Sequence, residues 1–158
     1  MELKKEAELS LRTSPLDSEI SVTPFKFKHL PLLSDMLESN KFPHLTDISM
    51  KTLPKIGYIA LLSGQPVAAG FLRRIEGGYA QIDTLASNPF FGSKLRHEGL
   101  NLIVKSLIED AKALDLKAII SFTSDEGVLT RAKSIGFKET HQKLIALSLS
   151  DYSPHTAT

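Results

Sequence analysis

The sequence predicts an α+β domain in three layers: a mixed, mainly antiparallel sheet of about seven strands flanked by about four helices. Three observations predict it. Strand-like and helix-like periodicities alternate from residue 19 to residue 150. Between residues 56 and 89, three strand-like runs are separated at hairpin length by "SGQP" and "EGGY", where Gly and Pro supply turn chemistry. A long helical pattern then separates the last of these runs from the next strand. It must cross over, so the two strands it joins are expected to run parallel.

Each element has its own signal. Residues 1–18 are polar, end in "TSPLDS" and read as a loosely held arm or a short helix. "EISVTPF" (19–25) reads as a short strand ending at Pro24. Over 28–40, Leu30, Leu33, Met36 and Leu37 recur at helical spacing. "PHLTDISMKTLP" (43–54) reads as a shorter helix between two prolines, and the meander of 56–89 follows. Over about 97–114, Leu100, Ile103, Leu107, Ala111 and Leu114 form one apolar face with Val104 and Ile108 beside it. Asn101, Lys105, Glu109 and Lys112 point outward. "KAIISFT" (117–123) reads as a buried strand, and 124–135 as a short helix capped by Ser124 and ended by Gly136. "FKET" (137–140) and "QKLIALSLS" (142–150) close the sheet, leaving 151–158 as a polar tail.

Composition narrows the function classes. A chain of 158 residues, 42% hydrophobic and 23% charged, fits one soluble domain over 19–150. Lys plus Arg is 19 and Asp plus Glu is 18, so no excess positive field draws it to nucleic acid or an anionic membrane. There is no Cys, which excludes disulfides, cysteine-zinc sites and a thiol nucleophile. The five His residues, at 29, 44, 97, 141 and 155, show no metal spacing. No apolar run approaches the ~18 residues of a membrane span, and "MELKKEAELS" lacks an apolar signal core, so the cytoplasm is the expected compartment.

The stretch that bears most on function is "RHEGLN" (96–101), at the expected start of the long helix. Amides at a helix start carry partial positive charge and hold phosphate. Gly99 would let a pyrophosphate approach the backbone, and Arg96 would add a charge-assisted contact. Lys94 would screen a further phosphate, and His97, if cationic, would help. Glu98, in the expected first turn, competes for the same positive field. On these letters alone, a solvated helix start with Asn101 facing water is the alternative.

The element order, with "IDTLASNPFFGSKLRHEGLNLIVKSLIEDAKALDLKAII" and "SDEGVLTRAKSIGFKE", resembles the GNAT superfamily of acyl-CoA-dependent N-acyltransferases over roughly residues 19–150. It is also similar to the short, divergent GNAT-like proteins of bacteriophages, for which the compartment would be the host cytoplasm. The family's cofactor loop reads Gln/Arg-x-x-Gly-x-Gly/Ala ahead of the long helix. Arg96 and Gly99 match it, Asn101 departs from the small residue, and "FFGSKL" lengthens the approach. The resemblance implies acetyl-CoA as co-substrate, held by Lys94, Arg96, His97, Glu98, Gly99, Leu100 and Asn101. It implies an N-acetyltransferase whose acceptor is an amine of a small molecule or a protein. It also implies that the fourth and fifth strands splay, leaving main chain at Leu85, Ala86 and Ser87 to support the thioester carbonyl.

The catalytic side chains match the family less well. The Tyr four residues before the "GF" Gly, a proton donor in many members, corresponds to Ala132, and the Asn starting that helix to Asp125. The strand-four Glu that serves some members as base corresponds to Gln81. Asp83 shares a face with Gln81 and is the carboxylate left to act as base; its plainer reading is a hydrogen-bonded surface residue. Tyr79 and Ser134 are weaker proton donors. Losing one general acid costs on the order of 10²–10⁴-fold, so catalysis survives its absence. The other reading is a GNAT-fold binding or structural protein without catalysis. The acceptor pocket would draw on about 38–55 and 138–145, with Phe42, His44 and Asp47 as lining. The last strands could pair with a second copy.

Overall fold

The computed structural model describes residues 19–40 and 49–141. The expected arm, the tail, the strand over 142–150 and residues 43–48 of the expected second helix lie outside them, as do Phe42, His44 and Asp47. Among the described residues the chain divides between Ser121 and Phe122 into two compact units.

In the first unit, β1 (Ser21–Pro24), β2 (Ile56–Leu62), β3 (Gln65–Ile75), β4 (Tyr79–Ser87) and β5 (Ala118–Ile120) form one five-stranded sheet in that order. Neighbours run antiparallel except β4 and β5, which run parallel as the crossover requires. The expected hairpins are present. Between β2 and β3, Ser63 and Gly64 take φ of 50° and 79°, a two-residue turn whose twist matches the strands it joins.

A helix covers each face. Helix α1 (Leu30–Ser39) buries Leu33, Met36 and Leu37 against Ile59, Ala69, Phe71 and Ala86. Helix α2 (Ser93–Ala113) buries Gly99, Leu100, Ile103, Val104, Leu107 and Ala111. Strand alternation puts Ala69 and Phe71 under α1 and Gly70 between them under α2. A Cβ on Gly70 would sit 2.9 Å from Ile103 Cγ2, so the missing side chain lets helix and sheet approach. With helices on both sides, β3 is buried continuously from Pro66 to Leu72 rather than alternately. Tyr58, paired with Gly70 and so on the α2 face, donates its hydroxyl to Asp110 Oδ2 at 2.6 Å. That bond, burial and the charges of Asp110 and Glu109 push the phenol up to about 12, which keeps it a neutral donor fastening β2 to α2.

A single 3₁₀ turn, Phe27–His29, leads into α1. His29 is buried and its Nδ1 accepts the Lys26 N–H at 2.9 Å. Burial and the nearby charges of Lys28 and Lys26 hold its pKa below the ordinary histidine value.

The second unit contains α3 (Glu126–Ile135). Its cap is Asp125 rather than the expected Ser124: Asp125 Oδ1 accepts from Val128 N at 2.9 Å, and Thr123 Oγ1 accepts from Asp125 N at 3.1 Å. Gly136, at φ 114°, closes the helix as expected.

Other expectations are corrected. Residues 49–54 form a hydrogen-bonded turn rather than helix, with Thr52 and Leu53 both donating to Ser49 O. Pro54 disfavours helical backbone at Leu53. Residues 137–140 form no strand. The strand expected over 117–123 shrinks to Ala118–Ile120, and Ile120 is exposed, because among the described residues β5 has a neighbour on one edge only. Leu114 leaves the apolar face to become the exposed C-cap of α2. No helix among the described residues is long and apolar enough to cross a membrane.

Candidate functional site

The site begins with an irregularity in β4. Asp83 pairs with Phe71 and Ala86 with Ala69, so β4 carries one more residue than β3 between these points. The extra residue is taken up at Thr84, whose φ is 53°. A β-branched residue rarely adopts this left-handed conformation, and such strain persists only where the surrounding structure enforces it. The bulge redirects side chains. Asp83 lies on the α1 face, whereas Leu85 points to α2, its Cδ1 2.7 Å from where a Gly70 Cβ would sit. Ala86 returns to the core under α1.

The same strand changes neighbours along its length. β5 pairs with Tyr79, Ala80 and Gln81, and the ladder ends there. Beyond the bulge, Asn88 N donates to Val67 O at 2.8 Å. Alternation then turns the main-chain groups of Ala86 toward β3, and those of Leu85 and Ser87 toward the open edge. The Ser87 carbonyl is taken by Asn40 Nδ2 at 2.7 Å, which also donates to Met36 O at 2.6 Å and so ties the end of α1 to this edge. Among the described residues no neighbouring strand faces the N–H of Leu85 or of Ser87 on that edge.

Asn88 also shapes the next turn. Its Nδ2 donates to Pro66 O at 2.8 Å, its Oδ1 accepts from Phe90 N at 3.0 Å, and its carbonyl accepts from Phe91 N at 3.2 Å. The chain thus reaches Gly92, the extended N-cap of α2, where an added Cβ would meet nothing within 4 Å. The helix starts at Ser93, four residues before the expected position. Apolar periodicity marks only the part that packs on the sheet, and the first turn does not. The amides of Ser93, Lys94 and Leu95 precede the first intrahelical bond, Arg96 N to Gly92 O at 3.2 Å. No acidic residue lies in this turn, so Glu98, one turn further on, does not compete there.

The residues grouped by sequence are therefore separated by the fold. Lys94 stands exposed in the first turn of α2. Arg96, His97, Glu98, Gly99, Leu100 and Asn101 lie inside the helix. Gly99 is buried against β3, where its Cβ would fall 2.8 Å from Val67 Cγ1; its smallness serves helix–sheet contact. Leu100 is core, and His97 and Glu98 are exposed. Arg96 Nε and Asn101 Oδ1 are buried without a hydrogen-bond partner among the described residues. Sequence reading passed over Gly92, Ser93, Asn88, Asn40 and Thr84. The Asn-Pro dipeptide and the Gly-Ser before the helix were the available signals.

Asp83 Oδ2 accepts from Arg73 Nε at 2.8 Å and Oδ1 from Thr84 Oγ1 at 2.9 Å. Arg73 is paired with Gln81, so Gln81, Asp83 and Arg73 share the α1 face. Tyr79 is exposed beside Gly77. No group of His, Asp and Glu among the described residues could hold a metal ion.

No family model matches the sequence, and no curated protein matches it. Solved structures do. The protein Rv2747 of Mycobacterium tuberculosis, in complex with CoA and NLQ, is 20% identical, with a TM-score of 0.63 over 80% of this chain and 76% of that one. An acetyltransferase of Streptococcus agalactiae is 19% identical, with a TM-score of 0.62 over 85% and 90%. The aminoglycoside N-acetyltransferase AAC(6')-Iy, in complex with CoA, is 13% identical, with a TM-score of 0.60 over 84% and 96%. At these identities the likeness is one of fold: a GNAT-like mixed α+β sheet.

Proposed function

We propose that the chain is an acyl-CoA-dependent N-acetyltransferase acting on an amine. One observation carries the reading: among the described residues, the end of β4 that lacks a second neighbouring strand leads through a short turn into a helix start without a side-chain cap. Structural neighbours bound to CoA support it. So does the fit of the residues. Gly92 leaves space for a phosphate to approach, the first turn of α2 lacks an acid, and Arg96 Nε is a buried donor without a partner among the described residues.

When bound, acetyl-CoA supplies an acetyl group activated as a thioester. The amides of Ser93, Lys94 and Leu95 hold phosphate oxygens, and the Lys94 ammonium adds charge. The Leu85 and Ser87 amides donate to the carbonyl oxygens at the acyl end, where preset donors are worth most. Gly99 and Leu100 fix the helix against β3. Asp83 takes the proton that an ammonium must lose before it can attack. The residue that corresponds in sequence to the family's proton donor is Ala132, which has no proton to give, so water serves the leaving thiolate. The cytoplasm is the proposed compartment.

Ala132 also favours a second reading, a protein that binds acetyl-CoA without turning it over. Two measurements separate them. Acetyl-CoA at 100 times its dissociation constant should stabilise the fold by about 2.7 kcal/mol, seen as a raised melting temperature. Thiol release over a panel of amines should then identify an acceptor. Binding without release supports the second reading, and no thermal shift at millimolar acetyl-CoA contradicts both.

A further inference from the structure

Arg73 and Asp83 leave part of their bonding capacity unused. A fork-on-fork pair would place Nε and one Nη on the two carboxylate oxygens. Here Nε alone meets Asp83 Oδ2, at 2.8 Å, because Thr84 Oγ1 occupies Oδ1 at 2.9 Å. That hydroxyl is held in place by the strained backbone of the bulge. The Nη edge of the guanidinium is therefore turned off Asp83. One Nη2 hydrogen reaches Thr52 O at 3.4 Å, a long bond. A guanidinium has five N–H groups, and the remaining ones of Arg73 have no partner among the described residues. The carboxylate, with about four acceptor positions, has two filled among the described residues. The Arg73 side chain is 48% exposed and that of Asp83 25%, so both can be reached.

These two groups sit on the α1 face where the β5 ladder ends and the open edge of β4 begins. We propose that they recognise the acceptor, and that it carries a carboxylate close to its amine, as an amino acid does. The carboxylate takes the free Nη edge of Arg73, a planar fork that matches it. The ammonium takes the vacant positions of Asp83, which accepts its proton. A ligand of paired opposite charges lies on a pair of opposite charges, and each is compensated. A bare amine leaves the Arg73 edge empty, and a polyamine sets a second cation against it. A phosphate beside the amine shares the anion chemistry, and the experiment separates it from carboxylate. The inference rests on the acetyltransferase reading.

The full chain is first titrated with acetyl-CoA. It is then assayed by thiol release and product mass with amino acids, their decarboxylated amines and aminoalkyl phosphates. Amino acids should be preferred over their decarboxylated partners by at least about tenfold in kcat/KM, the value of one good hydrogen bond to a charged group. Arg73→Gln should remove the preference by raising KM, without changing acetyl-CoA affinity, and Arg73→Lys should restore part of it. Equal use of the decarboxylated amines, preference for phosphates, or a preference that survives Arg73→Gln overturns the inference. Failure to bind acetyl-CoA instead overturns the reading beneath it. A chain that binds acetyl-CoA but acetylates none of the three classes also overturns the inference, and leaves the binding-protein reading.

Discussion

The two halves of β4 differ in what satisfies their edges. Tyr79–Gln81 is paired on both sides, with β3 and with β5. Ala86 and Ser87 are paired with β3 alone among the described residues, and the outward amides of Leu85 and Ser87 face an edge that no described strand occupies. "YAQ" and "LAS" do not announce this difference. It is made by a three-residue β5 and by one extra residue at Thr84. The difference in main-chain pairing thus arises from topology rather than from residue type. The end of β4 is held in position by two asparagines: Asn40 takes the Ser87 carbonyl and Asn88 organises the turn beyond.

The largest expected effect lies just before the bulge. Asp83→Asn should lower turnover by about 10²–10⁴-fold and leave acetyl-CoA affinity unchanged. Gln81→Ala, on the same face in the paired half, should do neither. Kinetics with any acetylated amine, alongside a binding titration, checks this; equal effects at both positions would break the comparison. In the row that ends at Asp83, Gly57→Val should destabilise the fold by about 1–3 kcal/mol in urea. Its Cβ would stand 2.3 Å from the ring of Phe71, which is 1% exposed and cannot move aside freely.

Further along β4, Ser87→Pro removes an amide that no described strand uses. The fold should survive, as prolines do on unpaired edges, and acetyl-CoA should bind about tenfold more weakly by calorimetry. Unchanged affinity would mean that this amide is idle. Thr84→Gly relieves left-handed strain at some cost in chain entropy. It should stabilise the fold by up to about 1 kcal/mol while slowing turnover, since the bulge then holds Asp83 less firmly.

The smallest effect is a reference from the α1 side. The pKa of His29 is lowered in the fold, so the folded state favours the neutral ring. Its contribution is complete above the unfolded pKa of about 6.5 and fades as pH falls toward the folded value. Melting temperature should drop below about pH 6.5 in the wild type more than in His29→Gln.

The fold was legible because its signals are local. Turn residues mark both hairpins, and apolar spacing marks α1 and most of α2. The parallel pairing of β4 and β5 followed from the length of the crossover between them. The site was legible only in outline. "RHEGLN" falls in α2 but beyond its first amides, because helical periodicity begins where the helix starts to bury side chains, not where its amides lack intrahelical partners. Gly99 matched a phosphate-loop letter, yet in the fold it makes room for Val67. Thr84 could not have been found. Nothing in a β-branched residue amid β-formers signals a left-handed backbone, which the pairing of neighbours imposes. Asp83 was found by strand alternation, but its partner Arg73 comes from another strand and needed the register.

The proposed activity depends on one contrast along a single strand, and amide chemical shifts read it residue by residue. Titrating the ¹⁵N-labelled chain with acetyl-CoA should move the signals of Leu85, Ser87 and Ser93–Leu95 in a saturable way, and leave those of Tyr79–Gln81 nearly still. Shifts confined to other parts of the chain, or none at saturating ligand, would contradict it.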